Sequence, residues 1–203
     1  MSENVITYDP IFPVMMASVL LNLPVTDMVD YIRQIDQEEN SDVGFTTHKG
    51  FYNSENLESM PSYRELQEAI LGVVTSFARE LRYDVDPERC SVQLWANSMK
   101  KNGFHSIHNH PHSSFSGCFY LACSDNTSPL LIHNPTMPLR MHEPFIIDPT
   151  NYTAFTAPSL TITPKVNTMF VWPSWLSHSV PKMKTNEERI SIAFNVDYLP
   201  IGA

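Results

Sequence analysis

The sequence predicts a mainly β fold preceded by helices, and three observations predict it. From Cys90 onward the apolar pattern has period two, in segments that are short and rich in β-branched and aromatic residues. Eleven of the 16 prolines fall after residue 100, between those segments. Helical three-to-four spacing is confined to the first ninety residues. Short strands joined by stiff loops suggest an antiparallel barrel or sandwich and argue against a βαβ sheet. The 203 residues form a single domain, with 1–88 as a helical support region and 89–200 as the β core.

The elements follow in order. Pro24 to Glu39 carries Met28, Ile32 and Ile35 at helical spacing, with Thr26 or Asp27 as the cap. A second helix begins at Ser62, which reads with Glu65 as a capping box after Pro61. Its stripe of Leu66, Ile70, Val73, Val74, Phe77 and Leu81 runs to about Tyr83 and reads as a face packed on a sheet. The predicted strands are Ser91–Met99, Ser116–Cys123, Leu130–His133, Ala154–Thr163, Thr168–Trp172 and Arg189–Tyr198. Residues 124–153 hold five prolines and few strand signals, and are expected to form a long functional loop.

Charge and cysteine content narrow the function. Thirteen Lys+Arg against 22 Asp+Glu give a net charge of −9; residues 1–100 hold 16 acids and 7 bases, and residues 101–203 hold 6 of each. Neither half offers a surface for tracking phosphates, so no direct nucleic-acid contact is expected. MSENVITYDP lacks the pattern of a signal peptide, and the apolar stretch Ile11 to Leu23 is too short to span a bilayer. Three cysteines, Cys90, Cys118 and Cys123, argue against a disulfide framework and for a reducing cytoplasm.

Four of the 8 histidines fall within eight positions: His105, His108, His110 and His112. A buried structural imidazole is usually solitary because it needs its own hydrogen-bond partner. Four together point to a metal or an acid/base site. On a strand, His108 and His110 would project from one face and occupy adjacent corners of a coordination sphere. Alone, His178 in its aromatic surroundings would read as a core histidine. Eleven residues later Arg189 and Ser191 share a strand face with Ala193 and Asn195. A guanidinium and a hydroxyl pointing into a barrel fit an anionic carboxylate, or else an internal salt bridge to an acid. Ser116, Cys118 and Tyr120 share a third face, from which the Tyr120 hydroxyl could reach the same carboxylate or simply pack. Trp95 and Asn97 alternate on the preceding strand and could line the site.

Taken together, His108-x-His110, His178 and Arg189-x-Ser191 resemble the order of the Fe(II)/2-oxoglutarate-dependent oxygenases. Trp95-x-Asn97, Gly103-Phe104, the Ser-Gly-x-x-Tyr-Leu strand from Ser116 and the Trp-Pro-Ser-x-Leu-x-His-x-Val stretch from Trp172 resemble a little-characterised bacterial and phage subgroup of that superfamily. The similarity covers roughly residues 90–198. It implies a double-stranded β-helix, the cupin-like jelly roll. It also implies Fe(II) on His108, His110 and His178, with 2-oxoglutarate and O2 at the open positions. Arg189, Ser191 and Tyr120 would hold the far carboxylate of 2-oxoglutarate. Asn97, Trp95, Ser116 and Trp175 would line the substrate pocket or support the ligands, and Phe119 and Trp172 would help keep it dry. One departure stands out: most members have a carboxylate where this chain has His110. The spacing favours His110 as the third ligand. Water, a carboxylate such as Asp125 or Glu143, or a His110/His112 pair are the alternatives.

The implied activity is a dioxygenase, by default a hydroxylase, coupled to decarboxylation of 2-oxoglutarate to succinate. Its prime substrate would be a small molecule or a protein side chain. Two rival readings are a cupin-like three-histidine metalloenzyme without 2-oxoglutarate and a non-catalytic jelly roll serving binding or assembly. Arg189 and Ser191 separate the first rival from the oxygenase. The apolar Met137–Ile147 loop is expected to cover the active site or to form a homodimer contact.

Overall fold

The computed structural model describes residues 7, 10–38, 49–51, 57, 60–144, 148 and 150–198. Ten strands run β1 (Ala17–Leu20), β2 (Lys49–Phe51), β3 (Cys90–Met99), β4 (His105–His108), β5 (Phe115–Ala122), β6 (Leu130–His133), β7 (Ser159–Ile162), β8 (Thr168–Pro173), β9 (His178–Val180) and β10 (Arg189–Tyr198). Among the described residues the helices α1 (Thr26–Glu38) and α2 (Pro61–Glu80) precede the main run of strands. The strands form a six-stranded sheet, β1-β8-β5-β10-β3-β2, and a four-stranded sheet, β4-β9-β6-β7. Every pairing is antiparallel. This is a jelly roll, as expected.

Strand alternation divides the apolar residues into two clusters. Leu94 and Ala96 of β3, Phe115, Phe119 and Leu121 of β5, Met169 and Val171 of β8, and Ile190, Ile192, Phe194 and Val196 of β10 form one core. Met28 and Ile32 of α1 and Leu66, Ile70, Val74 and Phe77 of α2 complete it, so the helices cover the outer face of the large sheet. The alternate residues, Met99, Cys118, Tyr120, Phe170 and Trp172, turn inward to meet Leu130, Ile132, Ile162, Leu176 and Val180. Phe119 therefore belongs to the helical core and not to the inner pocket expected for it.

Several local expectations change. Met60 and not Ser62 occupies the N-cap of α2, and it supplies no side-chain bond. The Ser62 N–H and hydroxyl instead donate to the Asp27 carboxylate, at 3.3 and 2.7 Å. An acid in the first turn of one helix thus caps the next, a tertiary device that no local motif reveals. The helix stops at Glu80 because Arg82 takes a left-handed φ of 62° and the Tyr83 N–H closes back on the Ala78 carbonyl. The strand expected over 154–163 shrinks to Ser159–Ile162, while β1, β2 and β4 add edge pairings. Glu39, expected to end the first helix, lies outside the described residues.

The loop after β6 is closed by its own hydrogen bonds. The Asn134 amide donates to the Ala157 carbonyl, the Asn134 N–H donates to the Pro158 carbonyl, and the Arg140 guanidinium donates to the Phe155 carbonyl and pairs with Glu143. Met137, Leu139 and Met141 are exposed on it; residues 145–147, within the expected apolar cover, lie outside the described residues. Among the described residues no helix is long and apolar enough to cross a membrane, and Cys90, Cys118 and Cys123 are free.

Two substitutions test this packing. Asp27→Ala should destabilise the fold by about 1 kcal/mol, the usual worth of a helix cap, read as a lower urea midpoint with unchanged slope. Gly117 sits where a Cβ would lie 2.2 Å from the Phe194 ring and 2.3 Å from the Phe170 carbonyl oxygen. Gly117→Ala should cost roughly 3 kcal/mol or prevent folding, because backbone as well as a packed ring must move.

Candidate metal centre

Antiparallel pairing of β4 with β9 makes His108 and His178 direct cross-strand partners. Seventy residues of sequence separation thereby become 4.3 Å between ring centroids. His110 does not continue β4: the strand ends at His108, and His110 follows it on the connecting segment. Its N–H donates to the Ser174 carbonyl, which fixes the backbone. The His110 ring lies 5.2 Å from each of the other two rings and meets the Trp95 ring edge-on at 5.9 Å. One ring nitrogen from each of the three lies within 4.8 Å of the others.

The tautomers suit metal binding. His108 Nδ1 donates to the Ser106 carbonyl at 2.8 Å, and His178 Nδ1 donates to the Leu176 carbonyl at 3.0 Å. Each ring therefore offers Nε2, held by a backbone acceptor behind it. Burial, followed by the neighbouring His108, pushes His110 down to about 4 and His178 down to about 3. Both imidazoles are neutral at pH 7, the ligating form. Three converging imidazole nitrogens, two of them on rings whose Nδ1 is already bonded to a backbone carbonyl, fit a divalent transition-metal ion. This group holds no carboxylate among the described residues. Glu143 instead pairs with Arg140, and neither Asp125 nor His112 joins the group.

The inward face of β10 continues from this cluster. Arg189 is 3% exposed, donates to the Tyr120 hydroxyl at 2.9 Å and lies 3.4 Å from the Ser191 hydroxyl. Its Nε has no partner, and no acid pairs with it among the described residues. Among the described residues, Arg189 thus forms no internal salt bridge. Burial raises the Tyr120 phenol well above its usual range, against the pull of Arg189, so the phenol stays protonated. Burial likewise raises the adjacent Cys118 thiol, to about 11. A guanidinium and two hydroxyls in a buried site form an anion cradle. Ala193 and Cys118 pair across the strands above it, leaving little side-chain bulk.

The remaining expected residues separate. Asn97 is buried opposite Ser191, and half-buried Trp95 stands opposite Ala193 against His110. The Ser116 hydroxyl donates to the Asn195 amide oxygen and bonds the Ser174 hydroxyl, both at 2.7 Å. It therefore ties three segments together, and through Ser174 it supports the backbone of His110. Ser174 and Asn195 were not singled out from sequence; Asn195 shares the face of Arg189, a signal that was available. Trp175 is 52% exposed, with its carbonyl accepting from Asn109. Trp172 is 2% exposed, stacks edge-on at 5.0 Å from His178, and its indole N–H has no partner.

A family model described as "Putative 2OG-Fe(II) oxygenase" matches residues 93–195, half of the chain. No curated protein matches the chain in sequence. Among solved structures, a Pseudomonas putida prolyl-4-hydroxylase is similar with TM-score 0.58 and 12% identity, over 92% of this chain and 89% of that one. HygX from Streptomyces hygroscopicus, solved with nickel and 2-oxoglutarate bound, is similar with TM-score 0.53 and 10% identity, over 91% and 83%. The chain spans half the length of a 2OG-Fe(II) oxygenase family oxidoreductase from Burkholderia pseudomallei, at TM-score 0.44 and 17% identity over 60% of this chain.

The depressed histidines set a pH dependence. In the unfolded chain they titrate near 6.5, above their folded values of about 4 and 3. Between those limits the unfolded state binds protons that the metal-free fold does not. Stability must then fall as pH drops from about 6.5 towards 4. Thermal melts of the metal-free chain should show this fall, with a shallower slope in His178→Gln.

Proposed function

The chain belongs to the 2OG-Fe(II) oxygenase family, and from that premise we propose that it is a 2-oxoglutarate-dependent dioxygenase hydroxylating a C–H bond of its substrate. The carrying observation is a buried guanidinium, without an acid partner among the described residues, on the barrel face that leads to three converging imidazoles. His108, His110 and His178 would hold Fe(II). Bound Fe(II) supplies the position at which 2-oxoglutarate and O2 react to give succinate, carbon dioxide and an oxygen atom for the substrate.

The chain's own residues do the positioning. Arg189 offers its free Nε, and Ser191 and Tyr120 their hydroxyls, to the distal carboxylate of 2-oxoglutarate. The small side chains of Ala193 and Cys118 leave room for its carbon chain. Trp172 and Trp95, against His178 and His110, exclude water from the reacting end. Ser116, through Asn195 and Ser174, holds its strand against its neighbours, buried Asn97 lines the site beside Ser191, and exposed Trp175 stands where a substrate would meet solvent.

An amino-acid side chain is the substrate class this reading favours, in line with the prolyl-4-hydroxylase of similar fold. The exposed Met137, Leu139 and Met141 support a contact with that substrate or with a second copy of the chain. The three free cysteines support a cytoplasmic setting, in the host if phage-encoded.

Anaerobic addition of Fe(II) and then 2-oxoglutarate to the metal-free chain tests the proposal. A visible charge-transfer band requiring both components is expected; it should vanish in His178→Ala. Arg189→Ala should weaken 2-oxoglutarate binding roughly 30-fold, about 2 kcal/mol for a charge-assisted contact. Iron binding without the band would favour the three-histidine metalloenzyme that does not use 2-oxoglutarate. No iron binding would leave a jelly-roll binding protein.

A further inference from the structure

We propose that His110, standing where a carboxylate would carry charge, makes metal retention depend on the cosubstrate dianion. The inference rests on the cofactor reading above and concerns how strongly the two ligands hold one another. The triad is three imidazoles with no carboxylate among them. Arg189 is buried with no acid paired to it among the described residues; Glu187 and Asp197 are half-buried, and each keeps one carboxylate oxygen buried and unpartnered. Asp197, the acid on the same β10 face, lies eight residues from Arg189, about 26 Å along the strand. It is four residues, about 13 Å, beyond Ala193.

A divalent ion entering such a site therefore adds two positive charges to one already present, with no carboxylate in the triad and no acid paired with the guanidinium among the described residues. Uncompensated charge in a low-dielectric interior is costly. A dicarboxylate reaching from the imidazoles to Arg189 answers both ends, with one carboxylate at the metal and the other on the guanidinium. Each ligand removes the cost that the other meets. Linkage then requires equal factors in both directions, so the metal tightens the dianion as much as the dianion tightens the metal. A carboxylate at position 110 would compensate the metal in advance and reduce the factor.

Mn(II) serves as the probe, with the free ion counted by electron paramagnetic resonance as the full-length chain is titrated. In the native chain 2-oxoglutarate should raise Mn(II) affinity roughly 10- to 100-fold, within the range of strong coupling between sites. In His110→Asp, Mn(II) should bind more tightly without 2-oxoglutarate and the factor should shrink severalfold. An equal or larger factor in a folded His110→Asp chain overturns the inference. Should that variant not fold, the native chain with 2-oxobutyrate decides. This 2-oxo acid lacks the second carboxylate, leaves Arg189 uncompensated and should give a smaller factor; an equal factor overturns the inference. Failure of 2-oxoglutarate to bind even the Mn(II)-loaded chain would instead remove the oxygenase reading on which the inference rests.

Discussion

A strand flanked on both sides has only two faces, and β10 uses each for a different purpose. Ile190, Ile192, Phe194 and Val196 fill the core beneath the helices, while Arg189, Ser191, Ala193 and Asn195 line the barrel. A slip of one residue would drive a guanidinium into the helical core and four large apolar side chains into the cleft. The register against β3 and β5 is thus set by the same apolar residues that bind α1 and α2. Burial on one side fixes the chemistry on the other.

The histidines are placed by a comparable economy. Two of the three need no loop to bring them together, since one antiparallel pairing puts His108 opposite His178. Backbone carbonyls two residues before each ring set its orientation. The third, His110, depends on the Ser174 carbonyl and the Trp95 edge. Ser174 is in turn held through Ser116 to Asn195 of β10. A polar chain therefore runs from the central strand to the least regular member of the cluster. Outside this chain of bonds, the buried donors on Arg189 Nε and Trp172 Nε1 stand without partners, and each would gain from a polar ligand.

The sequence made the period-two strands and the chemical cluster legible, because both depend on alternation along one segment. Leu130–His133 and Arg189–Tyr198 have the bounds expected of them. What escaped depends on partners far away. Ser62 looks like a cap, yet Asp27 supplies the bond, since two helices meet there. Ala17–Leu20 and Lys49–Phe51 have little strand character of their own and become strands by adding to the edges of a finished sheet. His110 was expected on a strand; its position survives the loss because a backbone bond to Ser174 replaces the ladder. Phe119 could be assigned a face by parity, but parity alone does not say which face meets the helices.

The order of strands in the large sheet has a consequence for synthesis. Its centre is built from residues after 90, and its two edges from residues before 52. The Arg33–Glu188 ion pair spans 155 positions to tie α1 to the residue before β10. On the ribosome the first half emerges with the apolar faces of α1 and α2 uncovered and no template for β1 or β2. The sheet cannot close until β10 has left the exit tunnel, so its folding awaits synthesis of the whole span from β1 to β10. That high contact order favours slow folding and reliance on chaperones, with nascent-chain aggregation as the hazard.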